Sequence, residues 1–129
     1  MDGIEIARLD HLVLTVRDVE ATCAFYARVL GMRSIAFGNG RRALAFGQQK
    51  INLHPIPNDV ALKAAHPTPG SADLCFITEV PIDRALAHVR SCGIEILDGP
   101  STRAGALGPI SSIYFRDPDA NLIEVSNYA

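Results

Sequence analysis

Apolar and polar positions along this chain switch between two periods, and the order of the switches repeats. His11-Leu12-Val13-Leu14-Thr15-Val16 is apolar and β-branched, as a strand is. Arg17-Asp18 then offers an N-cap. Val19, Cys23, Tyr26 and Leu30 recur at helical spacing, which predicts a helix over 19–30. Gly31 is a natural stop after its last turn. Three short strands are expected next, over 33–37, 42–46 and 50–54. Gly38-Asn39-Gly40 and Gly47-Gln48-Gln49 supply the turns between them.

A proline-rich connector, 56–70, follows, and then the order begins again. Asp73-Leu74-Cys75-Phe76-Ile77-Thr78 reads as a strand. A second helix is expected over 82–92, after Pro81, with Ile82, Leu86 and Val89 on one face and Gly93 at its end. Strands are expected over 95–97, 112–116 and 122–126. The Gly/Pro-rich segment 98–109 reads as an irregular connection, with 101–110 a loop able to close over a cleft. Gly31 and Gly93 stand 62 positions apart, and the same offset carries Leu12 to Leu74, Leu14 to Phe76 and His11 to Asp73. The pattern therefore predicts an α+β fold of two tandem βαβββ units, about 7–55 and 71–127. At 129 residues the chain is most simply one domain with a core that needs no staples.

Composition narrows the function classes. Charged residues are 20% and hydrophobic residues 48% of the chain, with a net charge of -2. Nothing in that balance points to nucleic acid or an anionic membrane. No apolar run approaches the roughly 18 residues of a membrane span. The first ten residues lack the basic and apolar regions of a signal peptide. Cys23, Cys75 and Cys92 form no CxxC pair and are odd in number, so free, buried thiols in a reducing, cytoplasmic compartment are expected.

Two stretches carry a family likeness: "LDHLVLTVRDVEATCAFYARVLGM" near the start and "IYFRDPDANLIEVSNY" at the end. With the repeated βαβββ order, the chain resembles the vicinal oxygen chelate superfamily. That superfamily comprises glyoxalases, fosfomycin-modifying enzymes, bleomycin-binding proteins and extradiol dioxygenases. "INLH", "AAHPTPGSADLCFITEVP" and "GPISSIYFRDPDANLIEVSNY" look closer still to the glyoxalase domain-containing protein 5 branch. The resemblance implies a glyoxalase/dioxygenase-like fold, in which each unit's sheet curls into a half-open cup and two units enclose a cleft. It also implies a divalent metal (Fe, Mn, Ni, Zn or Mg) held by residues of the first and last strands. Such a metal acts as a Lewis acid on a substrate with vicinal oxygens. The implied partners are that small molecule and a second copy of the chain, because open sheet edges need covering.

Residue by residue, His11 falls where the family's "DH" motif has its first ligand. Glu124 falls at the terminal ligand position and would also be catalytic. Leu122, Glu124 and Ser126 share one face of a strand and Ile123 and Val125 the other, so Glu124 is expected to face the cleft. A buried carboxylate there needs a cation or strong donors, either a metal or an arginine such as Arg42 or Arg116. The other two positions depart from the family. Asn52 stands where Glu or Gln is usual, with His54 two residues on as a further candidate ligand. Asp73 stands where His is usual, which shifts the donor set toward oxygen. Two readings stay open: a metal-dependent glyoxalase-like lyase, isomerase or dioxygenase, and a metal-free protein that sequesters a small ligand. His66 and His88 are expected on solvated surfaces. Asn121 is expected in the left-handed conformation, in the turn where the family has Gly at Ala120.

Overall fold

A computed structural model describes residues 3–129. The first unit comprises β1 (His11–Val16), α1 (Val19–Leu30), β2 (Arg33–Phe37), β3 (Arg41–Phe46) and β4 (Gln49–Pro55). The second comprises β5 (Asp73–Ile77), α2 (Ile82–Ser91), β6 (Asp98–Gly105), β7 (Gly108–Arg116) and β8 (Leu122–Tyr128). Each unit forms one four-stranded mixed sheet, in the orders β1-β4-β3-β2 and β5-β8-β7-β6. In both, the first strand runs parallel to the last and the other pairings are antiparallel. This is the expected α+β architecture. Among the described residues, no helix is long and apolar enough to cross a membrane.

The first helix begins and ends on specific chemistry. The Asp18 carboxylate accepts the Ala21 N–H at 3.0 Å, capping orphan donors of the first turn. Gly31 closes the last turn at φ 67, a conformation that costs a side-chain-bearing residue about 1 kcal/mol or more.

One core serves both sheets. Leu14, Leu44, Ile51 and Leu53 of the first sheet pack in the same cluster as Ile113, Phe115, Ile123 and Val125 of the second. Helix α1 lies between the units: Phe25 stacks at 6.4 Å from Phe115, and the Tyr26 hydroxyl donates to Asp117 at 2.6 Å. Asp117 anchors the turn before β8, accepting backbone N–H groups of Asp119 and Asn121 and the Asn121 side-chain amide. The Asn121 carbonyl oxygen accepts the Ala72 N–H that leads into β5. The helix-covered face of each sheet is thus turned to the shared core, and the opposite faces stay bare.

Four expectations are corrected. The segment 98–109 is no loop: β6 and β7 form a hairpin there, paired from Asp98↔Tyr114 to Gly105↔Gly108, so it cannot close over a cleft as a free lid. Residues 95–97, expected as a strand, are irregular. In the 117–121 turn Ala120, at φ 67, takes the left-handed conformation rather than Asn121. Asn121 is instead held by the bonds to Asp117 and Ala72. Of the thiols only Cys23 is buried; Cys75 is exposed and Cys92 intermediate.

Candidate functional site

Register places the sequence-derived candidates. In the first sheet His11 stands opposite Lys50, Val13 opposite Asn52 and Thr15 opposite His54. In the second, Asp73 stands opposite Leu122 and Cys75 opposite Glu124. Because Ile51 and Leu53 are buried in the core, period 2 forces Asn52 onto the bare face with His11 and Val13. Buried Ile123 and Val125 do the same for Glu124, which joins Asp73 and Cys75. The two sheets therefore carry equivalent donor pairs, His11/Asn52 and Asp73/Glu124. In each, the first-strand residue precedes the register partner of the last-strand residue by two positions.

His11 is oriented for ligation. Its Nδ1 lies 2.8 Å from an Asp10 carboxylate oxygen. With the proton on Nδ1, the Nε2 lone pair is left open, the usual arrangement for a metal-binding imidazole. The hydrogen bond from His11 is the main reason that the Asp10 carboxyl sits below its ordinary value. Asp10 was not singled out from sequence, although its place beside His11 was the available signal.

Asn52 supplies the most telling atom. Its Oδ1 is buried and has no hydrogen-bond partner, alone in this among side-chain N and O atoms of the described residues. A carbonyl oxygen desolvated without a partner costs about 1–3 kcal/mol, so it calls for a donor or a cation.

Glu124 accepts the Ser112 hydroxyl at 2.6 Å and, more weakly, that of Ser126 at 3.4 Å. Among the described residues no arginine pairs with it: Arg42 is bound to Glu20 and Ser34, and Arg116 donates to the Ala120 carbonyl. Tyr114 stands opposite Glu124 in register, and burial, then Glu124, push its phenol pKa up. The Cys75 thiol lies 3.4 Å from the Ser126 hydroxyl, and burial raises its pKa, with Glu124 adding to the rise. Ser112, Ser126, Tyr114 and Cys75 escaped the sequence reading, because only cross-strand register brings them to Glu124.

His54 sits at the far end of the strand pair, four register positions from His11, or about 13 Å along the strand. Burial first, then Arg41 and Lys63, lower its pKa. His66 is exposed, as expected. His88 is also exposed, yet its Nε2 lies 3.0 Å from the Val29 carbonyl, tying α2 to α1.

The donor chemistry fits a divalent cation. A nitrogen, a neutral carbonyl oxygen and two carboxylates form a mixed N/O set whose two negative charges match a 2+ ion. Within one chain, however, the pairs stay apart. Among the described residues no three His, Cys, Asp or Glu side chains come together in a way that could hold a metal.

Comparison with known proteins agrees with this architecture. The chain is 54% identical over 123 residues to virulence protein STM3117 of Salmonella typhimurium, covering 95% of this chain and 85% of that protein. It is 51% identical over 125 residues to glyoxalase domain-containing protein RDO1 of Mycosarcoma maydis, covering 97% and 70%. An integron cassette protein of V. cholerae superposes with a TM-score of 0.97 at 54% identity, covering 98% of this chain and 99% of that one. The profile of the Glyoxalase/Bleomycin resistance protein/Dioxygenase superfamily matches residues 8–125. The chain belongs to the glyoxalase/bleomycin resistance protein/dioxygenase superfamily.

Proposed function

We propose that the protein is a metal-dependent enzyme acting on a small molecule with vicinal oxygens, at a site shared by two copies of the chain. His11 and Asn52 of one protomer and Asp73 and Glu124 of its partner would hold the ion. One observation carries the reading: the two sheets bear equivalent donor pairs on their bare faces, and one chain does not unite them. β1 and β5 are free sheet edges, with Val13 at 44% and Ile77 at 50% exposure beside the donors. An exposed strand edge with apolar neighbours favours pairing with a second copy.

A divalent ion there supplies Lewis-acid polarisation of substrate oxygens. The chain's own groups do the rest. Asp10 orients the His11 ring. Ser112 steadies Glu124, whose carboxylate is the one placed to take a proton from carbon or oxygen beside the ion. Tyr114, across from Glu124, keeps its proton and can donate it to a developing oxyanion.

A metal-free binding protein is the second reading. It is favoured by the Ser112 hydroxyl, which partly satisfies Glu124 without a cation, and by an apolar cavity of about 330 Å³ on the helix side of the sheets, lined by Val29 and Met32 at the end of α1, Ala85 and Val89 of α2, and Phe46 and Phe76 of the strands. Metal analysis of native-purified protein decides between the two readings. The enzyme reading expects about one divalent ion per chain in wild type and little in His11→Ala, in a dimer by light scattering. Metal-free wild type that does not take up Mg, Mn, Fe, Ni or Zn on titration overturns it.

A further inference from the structure

Beside the first donor pair lies a smaller cavity, of about 150 Å³, where connector residues 63–72 cross the bare face of β1 and β4. Thr15 and His54 line it from the strands, and Lys63 and His66 from the connector. Among the described residues no carboxylate lines it. Lys63, and Arg41 close to His54 on β3, make no ion pair among the described residues. On its other side His54 borders a broader depression with Glu20, Arg42 and Asp59, where Glu20 is already bound to Arg42.

The hydrogen-bond inventory singles out the groups still able to donate. Thr68 and Ser71 use their hydroxyl protons on the carbonyls of His66 and Thr68. Asn121, which also lines the cavity, already donates to Asp117 and accepts from Ala72. The Lys63 ammonium, the two imidazoles and the nearly buried Thr15 hydroxyl make no side-chain hydrogen bond among the described residues. A cavity with a cation, three further unengaged donors and no acid is built for an anion.

We propose that this pocket seats the anionic group of a small oxyacid, a carboxylate or a phosphate-type group. His54 lies two residues beyond Asn52, about 7 Å along β4. The substrate class that follows, an oxyacid whose anionic group sits about that far from its metal-facing oxygens, rests on the shared metal site. The anion pocket itself does not.

The test uses chelator-treated, ¹⁵N-labelled full-length protein, titrated with inorganic phosphate and with acetate at constant ionic strength, with chloride as the control. Saturable shifts are expected at Thr15, His54, Lys63 and His66 with phosphate or acetate, and the tighter of the two names the group. Lys63→Ala and His66→Ala should each weaken binding by about tenfold, the usual worth of one charge-assisted contact. Glu124→Gln should leave binding unchanged, so failure of the metal site cannot pass for failure of the pocket. No saturable shift with either anion, equal shifts with chloride, or full affinity in Lys63→Ala overturns the proposal.

Discussion

Asn52 and Glu124 occupy the same place in the two sheets. Each lies on its unit's last strand, opposite the third residue of the first, Val13 for Asn52 and Cys75 for Glu124. One is neutral and unsatisfied, the other charged and hydrogen-bonded to a serine. The repeat has kept the geometry and let the charge diverge. Both formal negative charges of the proposed site come from the second sheet, and the first contributes neutral donors only.

Asn52 should be a liability without metal. Asn52→Leu removes an unpartnered buried carbonyl at similar volume, so the metal-free protein should gain about 1 kcal/mol or more in denaturant unfolding. The same change should weaken metal binding. Unchanged metal affinity with lower stability would mean that Asn52 serves the fold.

Glu124→Gln keeps the shape and removes the charge. With no arginine on Glu124, the change strands no cation. Stability of chelator-treated protein should therefore move by less than about 1 kcal/mol, against roughly 3–5 kcal/mol for breaking a buried ion pair. Metal affinity should fall sharply by calorimetry. A large stability loss would reveal a cationic partner.

Tyr26→Phe tests the joint between the units. The phenol is fully buried and donates to the Asp117 carboxylate, so its loss should cost about 1.5–3 kcal/mol. Burial, followed by Asp117, raises the Tyr26 pKa above its ordinary 10.0. The folded chain then holds this proton where the unfolded chain has lost it. Tyr26 thus stabilises fully below pH 10.0, and that contribution shrinks as pH rises beyond it. Unfolding free energies measured on either side of that pH should fall more steeply in wild type than in Tyr26→Phe. Parallel pH profiles would show that Tyr26 already ionises in the native state.

Elements that bury a periodic face were legible in the sequence. The expected limits of β1 and α1 match the structure, and β8 was located, because alternation and a capped helix write burial directly into residue order. The β6–β7 hairpin was not legible. β6, DGPSTRAG, has no buried residue and owes its existence to pairing with β7. Gly99 lies in it because a Cβ there would come within 2.2 Å of the Ser112 carbonyl, a close approach that reads in sequence as loop composition. The bare face of Glu124 was readable from its apolar neighbours. Ser112 and Ser126, which hold its carboxylate, depend on antiparallel register, and no local pattern encodes register.

The shared site makes one measurement decisive. Mixing His11→Ala and Glu124→Gln chains, after dissociation and reassembly, gives heterodimers in which one site carries both substitutions and the other neither. Random pairing then restores about a quarter of the wild-type metal sites, from two variants that each bind none. Tight metal binding at that level in the mixture, absent from either variant alone, is the result expected. No recovery despite verified heterodimers would place His11 and Glu124 in a site within one chain, or in none, and would contradict the account.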